Sequence, residues 1–170
     1  MTNDHPFWQF SVHHYAVDGV ASACLALQEQ CGIDVNLLLF CCYGGRQGKV
    51  FTTEQIDQCR TVVDPWHSEI AKGLRAVRQR LKSGFDSVPK NQTEPLRQKI
   101  LGMELEAEKI EQVLLAEAVP IDVRSDIPSG KAKRAAAANI ALYFEQADIK
   151  NAPEQDQHLE AILSACFPNA

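Results

Sequence analysis

The segment from Phe7 to Gly45, FWQFSVHHYAVDGVASACLALQEQCGIDVNLLLFCCYGG, constrains the fold of this chain more than any other. It is dense in apolar residues at helical spacing and is cut by helix start and stop signals. Pro6 suits a first helical position, after Asp4 or His5, and Phe7, Phe10 and His14 then share a face. Asp18 reads as the N-cap of a second helix, whose apolar face is Val20, Cys24, Leu27 and Cys31. Gly32 fits the left-handed position after a helix end, and Asp34 caps a third helix carrying Val35, Leu38, Leu39 and Cys42. Gly44, Gly45 and Gly48 are expected to end it. Connections this short give tight corners between helices.

The rest of the chain continues in the same period. Thr52 and Gln55 form a capping-box pattern before the series Ile56, Cys59, Val63, Trp66, Ile70, Leu74, Val77, Leu81. Pro65 predicts a kink there, or a new helix capped by Asp64. After a polar loop over 83–92, the stripe Leu96, Ile100, Met103, Ala107, Ile110, Leu114 predicts an antiparallel partner helix. Ser129 is expected to cap a helix through Lys131 to Ala147, with Ala135 to Ala138 allowing close helix approach, and Asn151 and Pro153 to open a last helix with Leu159, Ile162, Leu163 and Cys166 inward. Strand-like alternation is absent. The expected fold is all-α, a single irregular bundle of about six or seven helices forming one domain over residues 1–170.

The side chains that carry chemistry are few. Lys72, Arg75, Arg78, Arg80 and Lys82 crowd one helix. Glu104, Glu108 and Glu111 share a face of the helix that follows, so internal ion pairing or a solvated charged face is the expected fate of both sets. No aromatics interleave these cations, and the net charge is -5, which together argue against nucleic acid. The glutamates suggest a carboxylate metal site only weakly: none of His5, His13, His14, His67 and His158 follows a Glu by three, as a di-iron bundle requires. No metal and no cofactor is therefore expected. The 6 cysteines show no Cys-x-x-Cys and no zinc spacing, so they read as buried thiols. His13 and His14 read as packing residues. Lys131, Lys133 and Arg134 follow Ser129-Gly130 at a helix start, a weak phosphate-site pattern without the P-loop spacing. The Asp122/Asp126 pair occurs once, in a proline-bounded loop, and is not read as catalytic.

The N-terminus lacks the basic and apolar regions of a secretory signal, and the apolar run Val35 to Tyr43 falls short of the roughly 20 residues that span a bilayer. No membrane association is expected, and the setting is read as cytoplasmic.

Taken together, FWQFSVHHY, GVASACLALQ, CGIDVNLLLF and WHSEIAKGLRAVRQRLK resemble a bacterial family of uncharacterised small helical proteins. The resemblance implies a helical cytosolic protein and supplies no activity, cofactor or catalytic residue. On the residues alone, the leading expectation is a non-enzymatic interaction or adaptor protein with a protein partner, docking through Arg46, Arg75, Arg78 and Lys82. The competing expectation is a binder of, or enzyme on, an apolar or phosphorylated small molecule. Its pocket would lie between the N-terminal helices, with Lys131, Lys133 and Arg134 on the anionic end. A large pocket near Trp8 and Phe10 would favour the second reading.

Overall fold

The computed structural model describes residues 5–149 and 153–168. It is all-α, with helices α1 (Pro6–Tyr15), α2 (Val20–Cys31), α3 (Val35–Arg46), α4 (Thr53–Trp66), α5 (Lys72–Ser83), α6 (Lys90–Ala118), α7 (Ser129–Gln146) and α8 (Pro153–Cys166). A π turn, His67–Ala71, carries α4 into α5 without a break in helical dihedrals. Among the described residues there are thus seven helical rods and no sheet, which agrees with the expected class. Asn151, expected to help start α8, lies outside the described residues.

α3 is the centre of the molecule. Every residue from Asn36 to Gly45 is buried, because other helices cover it all round: α7, α6, α1 and α2 all pack against it. Phe7 of α1 meets Phe40 edge-on with centroids 5.0 Å apart and lies 5.3 Å from Tyr43. Asp34 caps α3 as expected, its Oδ1 accepting from Asn36 N at 2.7 Å and from Leu37 N at 3.4 Å. Gly32 takes φ 68, and both halves of the Thr52–Gln55 capping box form.

Several local expectations fail for identifiable reasons. The residue capping α2 is Gly19, at φ 84, and Asp18 makes no cap. Gly44 and Gly45 do not end α3 but sit inside its last turn, buried. They are contact positions: a Cβ on Gly45 would stand 2.4 Å from Ala136 N, so α3 and α7 touch backbone to backbone. Ser129 starts α7 as its first residue and offers no side-chain cap.

The larger correction concerns the α4–α6 layer. Pro65 neither ends nor breaks the helix. It is followed by the wider π turn, and the inward face becomes Ile56, Cys59, Val63, His67 and Ala71, a run of four-residue steps from Cys59 onward. Ile70 and Val77 of the expected apolar series are left exposed. α6 is rotated likewise. Its stripe residues Leu96, Met103 and Ile110 face outward, Met103 with 56% exposure, while Glu104 (3%) and Glu111 (0%) are buried beside Ala107 and Leu115. The charged face of α6, expected to pair internally or to be solvated, is its inner face.

His14 shows what burial does to an isolated histidine. Its ring packs against Phe10 at a tilt, with centroids 4.3 Å apart, so the packing reading holds. Burial, with His13 and Arg46 nearby, lowers its pKa from 6.5 to about 4. The unfolded chain therefore takes the proton more readily, and the stabilisation present above the unfolded value is lost as pH falls toward 4. His14→Gln should flatten the acid limb of stability by roughly 1–2 kcal/mol after allowance for partial exposure. Denaturant unfolding of both proteins above and below this window checks it, and parallel acid limbs would refute it.

Candidate functional site

The α5–α6 pair runs antiparallel, since His67 meets Glu111, Arg75 meets Glu104 and Glu108, and Arg78 meets Glu104. Through α6 this hairpin leans on α1 and α3, and together with α2 they enclose a cavity of about 430 Å³. Its mouth is apolar, formed by Trp8 and Val12 of α1, Leu25 of α2 and Leu101 and Leu105 of α6. Its floor is polar, formed by Asp34 and Asn36 at the start of α3, His67 of the π turn, Arg75 and Arg78 of α5, and Glu104, Glu108 and Gln112 of α6.

The floor has two parts. In the outer part, Arg75 donates from Nε to Glu104 at 2.9 Å and from Nη2 to Glu108 at 3.0 Å. Arg78 donates to both Glu104 oxygens. Burial works to raise the Glu104 pKa, but these guanidiniums more than offset it and the carboxyl is held below its usual range. Glu108 goes the other way, raised chiefly by burial.

In the inner part, Asp34, His67 and Glu111 are brought together from three elements. His67 Nδ1 lies 3.0 Å from Glu111 Oε1 and 3.8 Å from Asp34 Oδ1. Tyr143 of α7 accepts from Asp34 N at 2.9 Å through its hydroxyl, and Gln112 donates to Asn36 Oδ1 at 2.9 Å. Burial, with the Glu111 carboxyl alongside, pushes the Asp34 pKa well above its usual value. Burial also raises Glu111 and lowers His67, so His67 is held toward its neutral form. A second, more polar cavity, lined by Arg60, Asp64, Ser68 and Lys72 among others, also reaches Asp34 and His67.

Buried polar atoms without partners concentrate here. Among the described residues, Ser11 Oγ, Asp34 Oδ2, His67 Nε2, Arg75 Nη1 and Gln112 Oε1 are such atoms on residues lining the cavity, and Glu111 Oε2 is another behind it. Buried polar groups are ordinarily satisfied, so a cluster of orphans at a concave surface marks a place built to receive something.

The residues singled out from sequence divide. Arg75 and Arg78 do reach the cavity, but as partners of Glu104 and Glu108, with the acidic helix taking up their donors. Arg46 and Lys82 are exposed and apart from it. Lys131 and Arg134 are exposed on α7, and Lys133 binds Glu160 of α8 at 2.7 Å, so none of the three stands over the cavity. Asp126 pairs with Arg124 at 2.9 Å on the surface. The sequence reading missed Asp34, His67 and Glu111 as a set. Their sequence signals are separate: Asp34 is legible as the cap of α3, and His67 comes onto the inward face only once the π turn is known.

No helix among the described residues is long and apolar enough to cross a membrane. Comparisons with curated proteins and with solved structures find no match. A family model described as a protein of unknown function, DUF2390, matches residues 6–115, a span that contains every residue lining the first cavity and excludes Lys131, Lys133 and Arg134. The chain belongs to the DUF2390 family.

Proposed function

We propose that this chain, acting as one domain, binds a small molecule with an apolar body and a hydrogen-bonding, non-anionic polar end in the cavity between α1, α2, α3 and the α5–α6 hairpin. The observation that carries this reading is the gathering of unpartnered buried polar atoms on the floor of a cavity whose mouth is apolar. Its volume of about 430 Å³ suits a small organic ligand. The charges select the polar end. Asp34, Glu104 and Glu108 line the floor against Arg75 and Arg78, and both guanidiniums are already engaged by carboxylates. Apart from Arg75 Nη1, carboxylates beside these guanidiniums offset their charge, so a phosphate would meet little net positive charge there, whereas an alcohol, amide or amine would find acceptors and donors. The adaptor reading loses its best residues, because Arg75 and Arg78 are turned inward. Five of the six cysteines are buried and all six are free thiols, which supports a cytoplasmic setting.

The test is a thermal-shift series with alkyl alcohols, alkylamines and alkyl phosphates of matched chain length. Alcohols or amines at about one hundred times Kd should raise Tm by roughly 5–10 °C, with phosphates inert. Leu105→Trp, at the mouth, should abolish the response. If no member raises Tm, or Leu105→Trp responds like the parent, the cavity is not a ligand site.

A further inference from the structure

We propose that Asp34, His67 and Glu111 form the binding site of one divalent transition-metal ion that faces the cavity floor. The proposal goes beyond organic-ligand binding and does not depend on it.

Geometry comes first. One ligand atom from each of the three residues falls within 4.8 Å of the others, and all three residues are buried. The separations from His67 Nδ1, 3.0 Å to Glu111 Oε1 and 3.8 Å to Asp34 Oδ1, bracket the roughly 3.0–3.5 Å between neighbouring ligands that sit about 2.1 Å from a common ion. The groups are held by the fold. Asp34 is fixed as the cap of α3, His67 by the π turn, and Glu111 by the middle of the longest helix.

The second line of argument is what the site lacks. Asp34 (5% exposed) and Glu111 (0%) are buried carboxyls close enough to share a proton, and apart from that contact Asp34 Oδ2 and Glu111 Oε2 meet no donor among the described residues. Two carboxylates beside one another in a water-poor site need a proton or a cation between them. Arg75, the cation whose charge bears on Glu111, is engaged by Glu104 and Glu108 instead, and Arg60 and Lys72 line the second cavity.

The donor set selects the ion. One imidazole nitrogen and two carboxylate oxygens suit Mn²⁺, Fe²⁺, Co²⁺ or Zn²⁺. An all-oxygen cage for Ca²⁺ or Mg²⁺ and a thiolate set for Cu(I) are both absent from this cluster. The two carboxylates match the charge of a dication. Three protein ligands leave further positions open, and Asp34 and His67 both line the cavity, so those positions look toward it. Outer support is present too: Asn36, beside the cluster, accepts from Gln112 at 2.9 Å.

Tag-free protein, stripped with a chelator, should be titrated with Co²⁺ alone and with Mn²⁺ alone, following Co²⁺ by visible absorption, with no organic ligand added. The expected result is one Co²⁺ per chain with new d–d bands. Asp34→Asn retains the capping oxygen, and Glu111→Gln retains the shape of the side chain. Each should weaken Co²⁺ at least tenfold, while the surface variant Asp122→Asn should not. Absence of saturable one-equivalent uptake by the folded parent overturns the proposal, as does unchanged Co²⁺ affinity in both buried-site variants. Because the titration omits organic ligands, a positive result here stands even if the alkyl series fails, and the reverse also holds.

Discussion

Glu104→Ala should lower the stability of this protein by about 3–5 kcal/mol, read as a fall in Tm of roughly 6–20 °C. The carboxylate is almost wholly buried and receives Nε of Arg75 and Nε and Nη2 of Arg78. The two guanidiniums are themselves mostly covered, with side-chain exposures of 12% and 20%. Cutting Glu104 back to a methyl leaves Arg78 without its carboxylate partner and Arg75 with Glu108 alone. The cost comes from stranded charge rather than from the ion pair's own worth, since a buried pair is roughly balanced by its desolvation. Two controls separate these. Glu104→Gln keeps the volume and one acceptor and should lose less, about 1–3 kcal/mol. Arg97→Ala, which breaks the exposed pair with Glu94, should leave Tm unchanged within error. Equal losses for Glu104→Ala and Arg97→Ala would mean that the α5–α6 network is a solvated surface feature, and the cavity floor would have to be redrawn.

This network also shows how far the sequence could be read. Internal pairing of the basic helix with the acidic one follows from their charge and adjacency, and Arg75, Arg78, Glu104 and Glu108 do pair. The caps at Gly32, Asp34 and Thr52 are legible because each acts on backbone groups two to four residues away. The orientation of α6 is not legible. Leu96, Met103 and Ile110 form a better apolar stripe than Glu104, Ala107 and Glu111, and a window along one helix assigns the better stripe to the core. Glu104 and Glu111 are buried because partners across 26 to 44 positions of sequence meet them there. Such long-range pairing leaves no periodic trace. The π turn hides the rest. Pro65 signals a disturbance, but not that the helix continues with its inward face moved onto His67. Asp34 was visible only as a cap, a role it does fill, and its second oxygen becomes chemically interesting once His67 and Glu111 are beside it.

Gly45→Val should be at least as damaging, roughly 3 kcal/mol or more, and should disturb the buried cluster as well as the core. A Cβ at residue 45 would stand 2.4 Å from Ala136 N, 2.5 Å from its Cβ and 2.6 Å from its Cα. None of these is the end of a flexible side chain, so relief requires α7 to move off α3. Tyr143 lies two helical turns along α7 from Ala136, about 10 Å, and its hydroxyl accepts from the Asp34 backbone N–H. Asn139, between them, holds α3 at Cys41 O and the loop after it at Lys49 O and Phe51 N. Displacing α7 therefore strains both braces at once. Unfolding of Gly45→Val gives the stability loss, and Gly45→Ala should show a smaller loss of the same kind, with the gain in helix propensity offset by the clash. Hydrogen exchange at Asp34 N, Asn36 N and Leu37 N gives the local effect, which should exceed that at α8 amides. A stable Gly45→Val protein with native protection at Asp34 would show that α3 and α7 have room to part, and that the Gly45–Ala136 contact does not set the position of Asp34.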